Sequence, residues 1–132
     1  MTQRVSVRLP SAKATSYYIL IGSGVIQELP KWLARHAKSR KVVVISDRTV
    51  MKRCGAVLLK ALKGHAPIVI TIPAGERSKS HRTKQGIEHQ MFKKGCGRDS
   101  IVIAFGGGVV GDLAGYVAAT YMRGRPYVQI PT

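Results

Sequence analysis

At 132 residues the chain suits one domain with its own hydrophobic core. Its 22 lysines and arginines against 6 acids give a net charge of +16, while 45% of residues are hydrophobic. No stretch approaches the roughly 18 apolar residues of a bilayer span, MTQRVSVRLPSAK is no signal peptide, and Cys54 and Cys96 lack metal-ligand spacing; the expectation is a cytoplasmic protein with no membrane partner and two reduced, structural cysteines.

Val5, Val7 and Leu9 alternate with Ser6 and Arg8, which predicts a half-buried strand over residues 4–9, broken by Pro10 and Ser11. A second strand is expected over residues 17–21, ending at Gly22-Ser23-Gly24, and the two make a hairpin-like opening unit. Val25, Leu29 and Leu33 have helical spacing, with Pro30 either kinking that helix or standing at its start. Val42 to Ile45 reads as a strand covered on both faces. Ser46 to Thr49 follow. Val50, Cys54, Val57, Leu58, Ala61 and Leu62 then trace a helical stripe that Gly64 ends.

Residues 67–72 predict the next strand, residues 73–79 a polar loop, and Ser80 a helix cap. Ile87, Met91 and Phe92 mark the buried side of the helix that follows, closed by Gly95 and Gly97. Ile101 to Phe105 is another apolar strand, and residues 126–130 a last one. Strands alternating with helices over short connections imply an α/β fold, a Rossmann-like parallel sheet with helices on both faces.

Between the strand at 101–105 and a helix with apolar residues at Leu113, Val117 and Tyr121 stand Gly106, Gly107 and Gly108. Gly106, Gly108 and Gly111 have G-x-G-x-x-G spacing. A strand, a glycine turn and a helix start let backbone N–H groups approach a phosphate closely, with the helix N-terminus adding partial positive charge. Without a ligand, the same glycines make a tight turn. Three of the six acids fall on the edge where such sheets bind ligands: Asp47, Glu76 and Asp112. Asp47 and Asp112 also suit helix caps. Asp47 at a strand end suits a ribose hydroxyl pair and would repel a 2′-phosphate, so NAD is expected in preference to NADP. Asp47 precedes the glycine turn rather than following it, so adenosine and pyrophosphate would be held by different βα units.

GGGVVGDLAGYVAATYMRG with YVQIPT, PAGERSKS at 73–80 and SDRTV at 46–50 resemble the N-terminal domain of the 3-dehydroquinate synthase family. The resemblance covers the chain from about Tyr17 onward and extends to related sugar-phosphate cyclases of the deoxy-scyllo-inosose and valiolone synthase types. It implies NAD, a divalent metal (zinc or cobalt), and conversion of 3-deoxy-arabino-heptulosonate 7-phosphate to 3-dehydroquinate and phosphate, in the shikimate route to aromatic amino acids. It also implies that Asp47, Thr49, Glu76 and Lys79 contact the adenosine side, Thr49 standing where the family has Asn. Gly107, Gly108, Val109 and Asp112 would hold the pyrophosphate and nicotinamide side, and Thr132 the nicotinamide end. Arg123 resembles an arginine lent across a homodimer interface to the substrate phosphate; a cation closing a helix at Gly124 is the plainer reading.

The chain stops at Thr132, where that family continues into catalytic lysines and Glu/His/His metal ligands. His36, His65, His81 and His89 do not replace those ligands. The expectation is therefore an NAD-binding N-terminal domain over residues 1–132, with no catalytic or metal-binding residue of its own and no turnover alone. Two other classes stay open: a non-enzymatic nucleotide- or anion-binding module, and a charge-driven nucleic-acid binder. The scattered basic clusters and few aromatics argue against specific nucleic-acid binding.

Overall fold

In the computed structural model, residues 1–10 and 16–132 are described. β1 (Gln3–Arg8) and β2 (Ser16–Ile21) pair antiparallel as the expected hairpin, with Val5 opposite Ile19. The expected half-buried face is not there. Val7 alone on β1 is partly shielded, and every residue of β2 is exposed. Alternation marks a strand with two unlike faces; it does not supply the surface that would cover one of them. Of the Pro10-Ser11 break, Ser11 lies outside the described residues.

A 3-10 turn over Val25–Glu28 leads into α1 (Leu29–His36), with Pro30 in the first helical turn. A first-turn N–H has no intrahelical acceptor, so proline removes no bond there and starts the helix instead of kinking it.

β3 (Lys41–Asp47), β4 (Ile68–Ile72), β5 (Ser100–Gly106) and β6 (Tyr127–Pro131) form a parallel sheet in the order β4-β3-β5-β6. α2 (Arg48–Ala61), α3 (His81–Lys93) and α4 (Gly108–Thr120) connect successive strands. Successive side chains of a strand point to opposite faces, so β3 and β5 feed two cores. Val42, Val44, Ile101 and Ile103 meet Leu29 and Leu33 of α1 and Leu58 and Leu62. Val43, Ile45, Val102 and Ala104 meet α3 and α4 through Ile87, Met91, Leu113 and Val117. Both central strands are therefore unbroken apolar runs.

Two helix faces differ from the expected stripes. On α2, Leu58, Ala61 and Leu62 are buried, but Cys54 and Val57 are exposed. The inward row is Met51, Gly55, Leu58 and Leu62, with Gly55 buried against the core. A periodicity count that scores only apolar side chains passes over a glycine that turns its helix inward. On α3, Ile87 and Met91 are buried and Phe92 is 69% exposed. One residue advances a helix by about 100°, so neighbours do not share a narrow face. The two thiols part in the same way: Cys54 lies in solvent, and burial pushes the Cys96 thiol pKa up.

Candidate functional site

The chain leaves β3 toward β4 in one direction and leaves β5 toward β6 in the other. The sheet thus changes direction between β3 and β5. α2 and α4 depart there onto opposite faces, opening a crevice at the carboxyl ends of the strands, where ligands bind in such sheets. Ser46 stands opposite Phe105 in register, and its hydroxyl donates to the Phe105 carbonyl at 2.5 Å, tying the two strands together at the crevice.

On the β3 side, Asp47 has extended backbone and caps α2: its Oδ1 accepts from the Val50 N–H at 2.8 Å. The other carboxylate oxygen has no partner among the described hydrogen bonds. Thr49 is exposed one residue into the helix.

On the β5 side, α4 begins with no side-chain cap, because its capping residue is Gly107. The first intrahelical bond runs from the Gly111 N–H to the Gly107 carbonyl at 3.0 Å. The N–H groups of Gly108, Val109 and Val110 come before it and point out of the helix end. Val109 is only half-buried.

The four glycines here serve different ends. A Cβ on Gly106 would stand 2.8 Å from Val110 Cγ2, and one on Gly111 would stand 2.9 Å from Gln129 Nε2. Those two glycines let α4 sit close to the sheet. A Cβ on Gly107 or Gly108 would meet nothing within 4 Å, and neither has a positive φ. Among the described residues no packing and no turn geometry requires glycine at either position. The Tyr127 hydroxyl donates to the Gly111 carbonyl at 3.0 Å, and burial raises its pKa, with the Asp112 charge adding to the effect. The Thr132 N–H donates to the Gly106 carbonyl at 3.3 Å, bringing the exposed Thr132 to the same edge.

Glu76, Lys79 and Asp112 come together across the α3–α4 face. Lys79 Nζ lies 2.7 Å from Asp112 Oδ2 and 3.7 Å from Glu76 Oε1. The hydrogen bond and charge of Asp112, then the charge of Glu76, raise the Lys79 pKa above its ordinary value. Asp112 is not a cap, since Gly107 holds that place. Ser78 shapes the loop by donating to the Pro73 carbonyl, and Ser80 caps α3 by accepting from the Thr83 N–H at 3.2 Å. Lys79, Ser80, His81, Asp112, Leu113 and Tyr116 line a groove beside the ion pair.

Arg123 is not brought to this edge. It follows α4 in a 3-10 turn over Tyr121–Arg123, exposed, with φ +67°. α4 runs from the crevice to the opposite edge of the sheet, so about 20 Å of helix separates Arg123 from the glycine turn. His36 stacks on Trp32 and His81 meets Tyr116 edge-on. Among the described residues no three His, Cys, Asp or Glu side chains group to hold a metal ion. Sequence reasoning passed over Ser46, Ser78, Tyr127 and Gln129. A hydroxyl ending an otherwise apolar strand is the one signal that would have found Ser46.

The family model for the N-terminal region of 3-dehydroquinate synthase matches residues 69–132. A 3-dehydroquinate synthase from Pseudomonas aeruginosa is 42% identical over 117 residues, 89% of this chain and 32% of that protein. One from Enterococcus faecalis is 39% identical over 131 residues, 98% of this chain and 36% of that protein. The chain thus spans about a third of the length of these relatives. A 2-epi-5-epi-valiolone synthase from Streptomyces hygroscopicus, solved with NAD+ and Zn2+ bound, superposes with TM-score 0.70 and 31% identity over 95% of this chain and 35% of that one. A 2-deoxy-scyllo-inosose synthase superposes with TM-score 0.82 over 97% of this chain and 36% of that one, and at 22% identity it shares the fold.

Proposed function

We propose, on the premise that this chain belongs to the 3-dehydroquinate synthase family, that residues 1–132 are the NAD-binding N-terminal domain of a 3-dehydroquinate synthase. One observation carries the reading. Gly107 and Gly108 leave open space at an uncapped helix N-terminus beside the point where the sheet changes direction. The residues fit a dinucleotide on both sides of the crevice. The free N–H groups of Gly108 and Val109 suit pyrophosphate oxygens, and the unengaged oxygen of Asp47 suits ribose hydroxyls.

Thr49 extends the adenosine side. Glu76 and Lys79 hold the loop after β4 against Asp112, one turn into α4. Thr132 borders the nicotinamide end. Bound NAD supplies a hydride acceptor and donor for transient oxidation of a sugar phosphate. The chain's own part is to place that cofactor and to keep α4 seated on the sheet. No donor set among the described residues fits zinc or cobalt, and we assign the metal to the remainder of the enzyme.

The proposed reaction converts 3-deoxy-arabino-heptulosonate 7-phosphate to 3-dehydroquinate and phosphate, in the cytoplasm, by a homodimer in which Arg123 reaches the partner's substrate phosphate. The position of Arg123 away from its own crevice supports that last role. Identity of 42% to a dehydroquinate synthase against 31% to a valiolone synthase favours the former substrate. No helix among the described residues is long and apolar enough to cross a membrane.

Titration calorimetry of the 132-residue chain with NAD tests the cofactor reading. Saturable binding near one NAD per chain is expected, and no heat at millimolar NAD would overturn it. Phosphate release from the heptulosonate phosphate after mixing with a separately made C-terminal portion, NAD and cobalt tests the substrate.

A further inference from the structure

One face of the β1–β2 hairpin is covered by nothing among the described residues. Val5 stands opposite Ile19 and Val7 opposite Tyr17, and Ile21 ends the row, so these five side chains share one side of the ribbon. Val7 alone is partly shielded, and none of the five joins either core. The side carries no charge. The other side differs: it holds Arg4 and Arg8, and Arg4 Cζ lies over the Tyr18 ring, 3.6 Å from its centre. Its cations therefore keep it wet and cover its own aromatic. A lone two-stranded ribbon is marginally stable in water, and a continuous exposed apolar face marks a contact surface.

We infer that this face seats an apolar surface of the portion of the enzyme that follows Thr132. This rests on the reading of residues 1–132 as the N-terminal domain of a longer enzyme, since the chain spans about a third of its relatives. Position supports it. α1 runs back along the sheet and joins Lys41 at the start of β3, so the turn before α1 and the foot of the hairpin at Ile21 lie toward the carboxyl edge. Ile26 of that turn, Val50 and Ile130 pack on the rim of one core. Thr132 ends at the same edge, beside Gly106.

Size supports it as well. Six residues per strand make a ribbon about 20 Å long and about 10 Å wide, or roughly 200 Å² on a side. A stable contact between separate molecules takes about 800 Å² from each. The face alone is too small to hold a second copy. A segment of the same enzyme needs less area, because the link through Thr132 keeps it at a local concentration on the order of millimolar.

Hydrogen exchange over residues 17–21 tests it in two proteins: the 132-residue chain, and the same chain continued after Thr132 into roughly the last two thirds of the Pseudomonas aeruginosa relative. Exchange should be at least about tenfold slower in the longer protein. Ile19 and Leu20 supply the control. They are neighbours on β2, 42% and 38% exposed, and point to opposite sides. Ile19→Asp should return exchange in the longer protein to the rate of the 132-residue chain, and Leu20→Asp should keep it slow. Neither change should move the urea midpoint of the 132-residue chain, since neither side chain joins its core.

Equal exchange in the two proteins would overturn the inference. So would slow exchange retained with Ile19→Asp, or equal loss of protection in both variants, which would mark a fragile hairpin and not a covered face. A 132-residue chain that dimerises in sedimentation, with Ile19→Asp restoring the monomer, would give the face to a second copy and overturn it too. NAD titration of the 132-residue chain is independent of these readouts: its failure would remove the cofactor reading and leave the hairpin result standing.

Discussion

The two helices that open from the crevice begin in opposite ways. α2 starts on Asp47, whose carboxylate closes one of the free N–H groups. α4 starts on Gly107, which closes none. A capped start stabilises its own helix by about 1 kcal/mol. An uncapped start forgoes that stabilisation and leaves donors for something else. Under the proposed cofactor reading, the side chain at one start recognises by charge, while the bare backbone at the other offers N–H groups to an anion. The glycines on the α4 side divide further: packing against Val110 demands Gly106, Gly111 sits against the movable end of Gln129, and nothing among the described residues demands Gly107 or Gly108.

The sharpest way to break this division is substitution by valine at each kind of glycine. Gly106→Val puts branched carbon into the Val110 side chain at a fully buried position. It should destabilise the domain by about 2–3 kcal/mol, read as a lower urea midpoint. Gly108→Val should leave that midpoint nearly unchanged while weakening NAD about 100-fold, because the branch occupies the space of the pyrophosphate. If Gly108→Val unfolds the chain, or binds NAD normally, the open glycines are not the ligand's.

A smaller effect separates the two duties of Asp47. Asp47→Ala should cost about 1 kcal/mol in denaturant together with loss of NAD affinity. Asp47→Asn should keep the cap and the stability, since asparagine caps as well. Asn also lacks the charge that opposes a 2′-phosphate, so the NADP-to-NAD affinity ratio should rise.

The smallest effect concerns the ion pair that ties the loop after β4 to α4. The Lys79 pKa is raised in the folded chain above its ordinary 10.5. Its pairing with Asp112 therefore contributes fully below that ordinary value and is lost as pH climbs through the raised one. Both side chains are largely exposed, so added salt should screen the pair. Lys79→Met should abolish this alkaline step in a pH series of denaturation midpoints and lower the neutral-pH midpoint by the same small amount.

The sequence by itself determined the elements, the parallel sheet and the three acids on one edge. These follow from local signals: β-branched runs, a capping Ser80, and glycine clusters whose meaning lies within a few residues. It also carried the resemblance to the 3-dehydroquinate synthase family, because the glycine turn and PAGERSKS are each contiguous. Tertiary structure decided which residues meet. Lys79 and Asp112 are 33 positions apart and join only because α3 and α4 lie on one face. Gly111 met Gln129 only once α4 lay against β6. Phe92 and Cys54 turned outward because the rotation of a helix is set by the whole surface it covers, Gly55 included, and not by its own apolar count. Burial and contact are sums over neighbours distant in the chain, and no window of sequence holds those neighbours together.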